Sequence, residues 1–142
     1  MSESIQGHGR CICGSVEVEA KALSPHLGAC HCRTCQRWGG GPFMTVEGGK
    51  DVRFTGEAHI TTYQSSEWAE RGFCNQCGSH LFYRLKANHQ YFMPAGLFDE
   101  FPQLTFQHQV FIDEKPDNYR FANQTETMTG AEVFAKFAPP EA

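Results

Sequence analysis

Cys11-Ile12-Cys13-Gly14-Ser15-Val16-Glu17-Val18-Glu19-Ala20 places two sulfur ligands one residue apart and then runs directly into an alternating segment. Val16 and Val18 alternate with Glu17 and Glu19, the period of a strand with one buried and one wet face. The glycine between the two halves marks a turn, so the cysteine pair sits where the chain enters a strand. Working outward, Cys74-Asn75-Gln76-Cys77 follows a second strand candidate and Cys30-His31-Cys32-Arg33-Thr34-Cys35 forms a third cluster, and these three clusters hold all 7 cysteines. A disulfide framework would leave one thiol over and needs an oxidising compartment. A thioredoxin-type dithiol needs Cys-X-X-Cys at the start of a long helix in a strand-helix-strand unit, and neither copy has that setting. Tetrahedral zinc fits the spacing best, because such knuckles aim their sulfurs at one ion.

Seven thiolates divide as four plus three, and the division decides the chemistry. A closed four-sulfur site is structural, whereas a three-ligand site keeps one position open. Spacing alone admits two partitions: Cys11, Cys13, Cys74 and Cys77 closed with Cys30, Cys32 and Cys35 open, or the two X-X pairs forming a ribbon. The first is favoured, because Cys30, Cys32 and Cys35 lie within one loop and a helical turn, while the alternative stretches a site across the gap between Cys13 and Cys30. The triple cluster would itself be closed if His31, His59, His80, His89 or His108 supplied a fourth ligand. His31 lies between two ligands and would have to fold back to do so.

The remaining pattern is mainly β. Strand candidates are 15–20, 42–46, 51–55, 59–64, 68–73, 81–84, 90–94 and 104–110, separated by Gly, Asn or Pro. Helix is confined to short pieces at 32–38 and 129–136. The run Gly39-Gly40-Gly41-Pro42 directly follows the triple cluster, either lining an open metal position or serving as a connector. With 142 residues, 40% apolar residues and 13% aromatics, the chain suits one domain with a real core. That domain is expected over 9–138, with a flexible N-terminus over 1–8 and a loose C-terminus over 139–142. A net charge of −4 argues against nucleic acid as a partner. No run of about 18 apolar residues and no signal-type N-terminus occurs, so neither a membrane partner nor secretion is expected and the cytoplasm is the expected location.

Cys-X-Cys-Gly-Ser-Val from Cys11, Cys-His-Cys-X-X-Cys-Gln-Arg from Cys30, Phe-Cys-X-X-Cys-Gly-Ser from Phe73 and Ala-Gly-Leu-Phe-Asp from Ala95 together resemble the glutathione-dependent formaldehyde-activating enzyme family, which includes a centromere-associated animal protein. The resemblance runs from about Gly9 to about Tyr119. It implies a zinc-stapled, Mss4-like β fold with two zinc ions per chain: a structural site at Cys11, Cys13, Cys74 and Cys77 and a catalytic site at Cys30, Cys32 and Cys35. Gly96 and Asp99 match a late segment of the family pattern. Near His108, Tyr119 stands where members often have Trp, and Gln36-Arg37-Trp38 keeps one of the basic positions that usually follow the triple cluster.

A three-thiolate zinc favours a soft sulfur ligand, and coordination holds an incoming thiol as thiolate where the free group, near pKa 8.5, is mostly protonated. The implied reaction is that of a carbon-sulfur lyase: glutathione as co-substrate adds to formaldehyde or a related small electrophile, forming S-hydroxymethylglutathione. His31 is the candidate proton donor. Arg33 and Arg37 flank Cys35 and are candidates for the carboxylates of glutathione. Trp38, Phe43 and Phe73 are candidate pocket walls. The partners expected are a small-molecule thiol and an aldehyde, with an oligomer open. The competing reading is a non-catalytic binding module whose ions only hold the fold and whose exposed aromatics meet a protein.

Overall fold

A computed structural model of the protein describes residues 5–99 and 104–137. Eleven strands and two short α-helices are present among the described residues, so the chain is mainly β as the alternation predicts. The smaller sheet is antiparallel, with β2 (Glu17–Leu23) between β1 (Ile5–Arg10) and β5 (Val52–Thr55). In β2, Val18 and Ala20 are buried while Glu17 and Glu19 face solvent, which is the periodicity read from Val16 to Ala20.

The larger sheet begins at β11 (Glu126–Met128) and β10 (Thr105–Val110), continues through β3 (His26–Cys30), β4 (Phe43–Gly49), β9 (Tyr91–Pro94), β8 (His80–Leu85) and β7 (Ala69–Cys74), and ends at β6 (Ile60–Tyr63). Most neighbours run antiparallel, but β10 is parallel to both β3 and β11. The predicted helices are found one residue later than expected, as α1 (Arg33–Gly39) and α2 (Gly130–Phe137). Val16, Val18, Val46, Leu81 and Met93, each at most 1% exposed, form a core shared by the two sheets. No helix among the described residues is long and apolar enough to cross a membrane.

Part of the expected N-terminal tail is strand. Residues 5–8 belong to β1, where Gly7 pairs with Ala20 and His8 with Glu19. The glycines that make this stretch look loose let it pack closely: a Cβ on Gly9 would meet the backbone of Leu97 and Phe98, against which the strand lies. The expected C-terminal end at 139–142 lies outside the described residues.

Gly56 turns the chain out of β5 with φ of 87°, a conformation that costs any L side chain, and a Cβ there would collide with the carbonyl oxygen of Ser15. Strain and backbone collision act together, so Gly56→Ala should destabilise the fold by about 3 kcal/mol. The thermal midpoint, followed by circular dichroism, should fall by about 10 °C. An unchanged midpoint would show that the turn is free to move away from β2.

Candidate metal centre

The first cysteine group is built at the ends of strands in both sheets. Cys11 and Cys13 occupy the turn between β1 and β2, closed by the amide of Gly14 donating to the carbonyl of Cys11 (3.1 Å). Cys74 is the last residue of β7, and Cys77 lies in the turn to β8, where the amide of Gly78 donates to the carbonyl of Cys74 (2.8 Å). The Ile12 amide donates to the Ser79 hydroxyl at 3.0 Å, tying the two turns together. All four sulfurs lie within 4.8 Å of one another. Cys11 Sγ is 3.7 Å from Cys13 Sγ, which is 3.8 Å from Cys74 Sγ. A tetrahedral zinc with Zn–S bonds of about 2.3 Å separates its sulfurs by about 3.8 Å, so the group has the dimensions of such a site. Backbone amides of Val16 and Gln76 donate to Cys11 Sγ and Cys74 Sγ, and the bond with the Ser79 hydroxyl draws the Cys77 thiol down to about 5. The Ser79 bond favours the ionised Cys77 sulfur that a metal requires, whereas burial pushes the Cys74 thiol up.

The second group combines the end of β3 with the start of α1. Cys30 closes β3, Cys32 caps α1 by accepting the amide of Cys35 on its sulfur (3.3 Å), and Cys35 sits in the first helical turn, 3% exposed. Their sulfurs also lie within 4.8 Å of one another. Hydrogen bonding to Cys30 and then Cys35 holds the Cys32 thiol down, while the same contacts push Cys30 far up. Neither group includes a His, Asp or Glu among the described residues. His108 instead lies over Gly28 within the large sheet, and His80 stacks on Trp38 at 3.9 Å between ring centres. The triple cluster is therefore short of a fourth protein ligand among the described residues.

Cys35 opens onto a cleft of about 550 Å³ between the two cysteine groups. Trp38, Phe43, His80 and Gly39 line it on the side of the triple cluster, and Ile12, Ser79 and Arg10 on the side of the four-cysteine group. The glycine run thus does border the cleft, through Gly39, while Gly40 ends α1 in the left-handed conformation. Gly96 also lines the cleft, whereas Asp99 faces His8 at 3.2 Å.

The other candidates lie elsewhere. His31 is 0% exposed, with Nε2 bonded to the Gln109 side-chain oxygen at 2.8 Å and Nδ1 to the Tyr119 hydroxyl at 3.2 Å. Both ring nitrogens are engaged and His31 does not line the cleft, which suits a residue that positions Cys30 and Cys32 rather than one that reaches a substrate. Arg33 is exposed and donates to Gln36 at 2.9 Å, Arg37 is exposed, and neither lines the cleft; nor does Phe73. The cation that does line it is Arg10.

Sequence reading did not single out Arg71. This residue of β7 is 4% exposed, and its Nη1 and Nη2 lie 3.7 and 3.6 Å from Cys35 Sγ. Its guanidinium is held between the rings of Trp38 and Tyr83, each 4.9 Å away. In Ala69-Glu70-Arg71-Gly72 the two charged residues fall on opposite faces of the strand, and only the fold reveals that Arg71 points inward.

A family model described as glutathione-dependent formaldehyde-activating enzyme matches residues 6–114. The chain belongs to this family. An uncharacterised lyase of Schizosaccharomyces pombe is 38% identical over 126 residues, 88% of this chain and 92% of that protein. A crystal structure of a Rhodobacter sphaeroides protein superposes with a TM-score of 0.58 at 26% identity, covering 67% of this chain and 90% of that one. Family and relative together support a lyase of the formaldehyde-activating type, and both cysteine groups are compatible with metal binding.

Proposed function

We propose that the chain is a zinc-dependent carbon-sulfur lyase that joins the thiol of glutathione, or of a related small thiol, to formaldehyde or another small aldehyde. The observation that carries this reading is the convergence of Cys30, Cys32 and Cys35 without a fourth protein ligand among the described residues, at the wall of a cleft that Cys35 enters. Cys11, Cys13, Cys74 and Cys77 would hold a second, structural zinc. A zinc at the triple cluster would supply a soft coordination position that keeps an incoming thiol ionised near neutral pH.

The chain's own residues supply binding and orientation. Arg10, on the cleft wall, offers a cation to a carboxylate of an anionic thiol, the role first given to Arg33 and Arg37. Trp38 and Phe43 wall the cleft and exclude water from the reacting carbon. In the addition, sulfur forms a bond to the carbonyl carbon, the C=O π pair moves to oxygen, and the proton given up by the thiol ends on that oxygen. His80 is placed to carry it: burial and then the charge of Arg71 push its pKa down, so near pH 7 the ring is neutral and can take and return a proton within the cleft. His31 acts at a distance, by fixing the loop that carries Cys30 and Cys32.

Glutathione and formaldehyde also combine spontaneously, so the test is a rate. Exchange NMR with carbon-13 formaldehyde and glutathione should show the protein raising the interconversion of free and thiol-bound aldehyde by at least about tenfold over buffer. Rates equal to the spontaneous ones, for formaldehyde and for larger aldehydes alike, would overturn the reading.

A further inference from the structure

We propose that Arg71 is the charge-compensating positioning residue of the three-cysteine site, the cation that allows a further anionic sulfur to join it. A guanidinium cannot lose its proton in a protein, and a buried charge needs a partner. On the same strand, Glu70 pairs with Arg84 at 2.9 Å, and the remaining ion pairs among the described residues join His8 to Glu17 and Asp99. None of them involves Arg71. Its two terminal nitrogens both face Cys35 Sγ, and its Nε is buried without a partner. The counter-charge of this arginine is therefore the cysteine cluster.

The register of the sheet fixes that placement. Arg71 lies directly opposite Tyr83 in the β7–β8 pair, and the Tyr83 and Trp38 rings hold the guanidinium beside the sulfur. Three thiolates around a divalent ion carry one net negative charge, which Arg71 cancels. A thiolate added at the open position then leaves a single negative charge in the buried site, where without Arg71 it would leave two. Repulsion between like charges is costly at low dielectric, so Arg71 tunes the site toward an anionic sulfur ligand. This role rests on the thiol-binding reading above and adds to it the residue that makes such binding tolerable.

The test uses Arg71→Gln, which keeps donors but no charge, and Arg71→Lys, which keeps the charge without the fork. For each full-length protein, both zinc affinities are measured by chelator competition, and glutathione uptake by native mass spectrometry. Retention of the four-cysteine ion reports that a variant is folded. Arg71→Gln should lose second-site zinc affinity by roughly 10- to 100-fold and lose glutathione uptake, while Arg71→Lys stays within about tenfold of wild type. Gln and wild type binding zinc and glutathione alike would overturn the proposal, as would Lys failing as completely as Gln. Wild type that takes the second ion but no glutathione counts against the thiol-binding reading instead, and the zinc affinities of the two variants still decide the role of Arg71.

Discussion

Cys74→Ser should leave a chain that does not fold cooperatively. Cys74 is 0% exposed, belongs to the shared core, and joins Cys11 and Cys13 of the small sheet to the end of β7 in the large one. On the proposed reading, a zinc held by the four sulfurs would tie the turn between β1 and β2 to the end of β7. Structural zinc contributes about 10–16 kcal/mol in small domains, against a net stability of about 5–15 kcal/mol for a whole protein. A serine in place of one thiolate removes much of the first quantity and also buries an unpaired hydroxyl. Thermal unfolding followed by near-ultraviolet circular dichroism should show no cooperative transition, and the protein should lose the tightly held zinc. A cooperative melt within a few degrees of wild type would show that this group is dispensable for folding.

Cys35→Ser should act differently, removing activity and leaving a specific electrostatic defect. On the proposed reading a zinc at the triple cluster would lose a ligand, so the aldehyde exchange rate should return to the spontaneous value. Arg71 at the same time loses its counter-charge while remaining 4% exposed, and a buried charge stripped of its partner costs roughly 3–5 kcal/mol. Adding Arg71→Met to Cys35→Ser removes the orphaned charge. The double variant should be more stable than the sum of the single effects predicts, with a coupling of about 1–3 kcal/mol in denaturant melts, and it should remain inactive. Simple additivity would mean that Cys35 is not the partner of Arg71.

Local patterns were legible wherever one face of a strand is wet. Val18 and Ala20 against Glu17 and Glu19 announce β2, and the cysteine spacings mark the three clusters, although only the fold shows that Cys11 and Cys13 meet Cys74 and Cys77. What escaped is set by packing between distant segments. The β1 segment Ile5–Arg10 lacks apolar alternation because Gly7 and Gly9 are there to let β1 approach Leu97 and Phe98. His26–Cys30 forms β3, flanked on both sides by other strands, so its face-to-face alternation is weak and its Gly28 reads as a break although the ring of His108 covers it. Arg33 and Arg37 flank Cys35 along the chain but do not line the cleft, whereas Arg10 lines it from β1 and Arg71 faces Cys35 from β7. His31 was found by its place between two ligands, but its engagement with Gln109 and Tyr119 depends on β10 and on the loop beyond it.

On the proposed reading the chain holds one closed four-cysteine ion and one open three-cysteine ion that accepts a thiol. Native mass spectrometry of freshly purified protein, with and without glutathione, tests it most directly when wild type is compared with Cys35→Ser. Wild type should carry two zinc ions and a glutathione adduct, and the variant one zinc with no adduct. Two tightly held ions that take up no thiol, or a single ion indifferent to the substitution, would contradict it and favour a module whose metal only holds the fold.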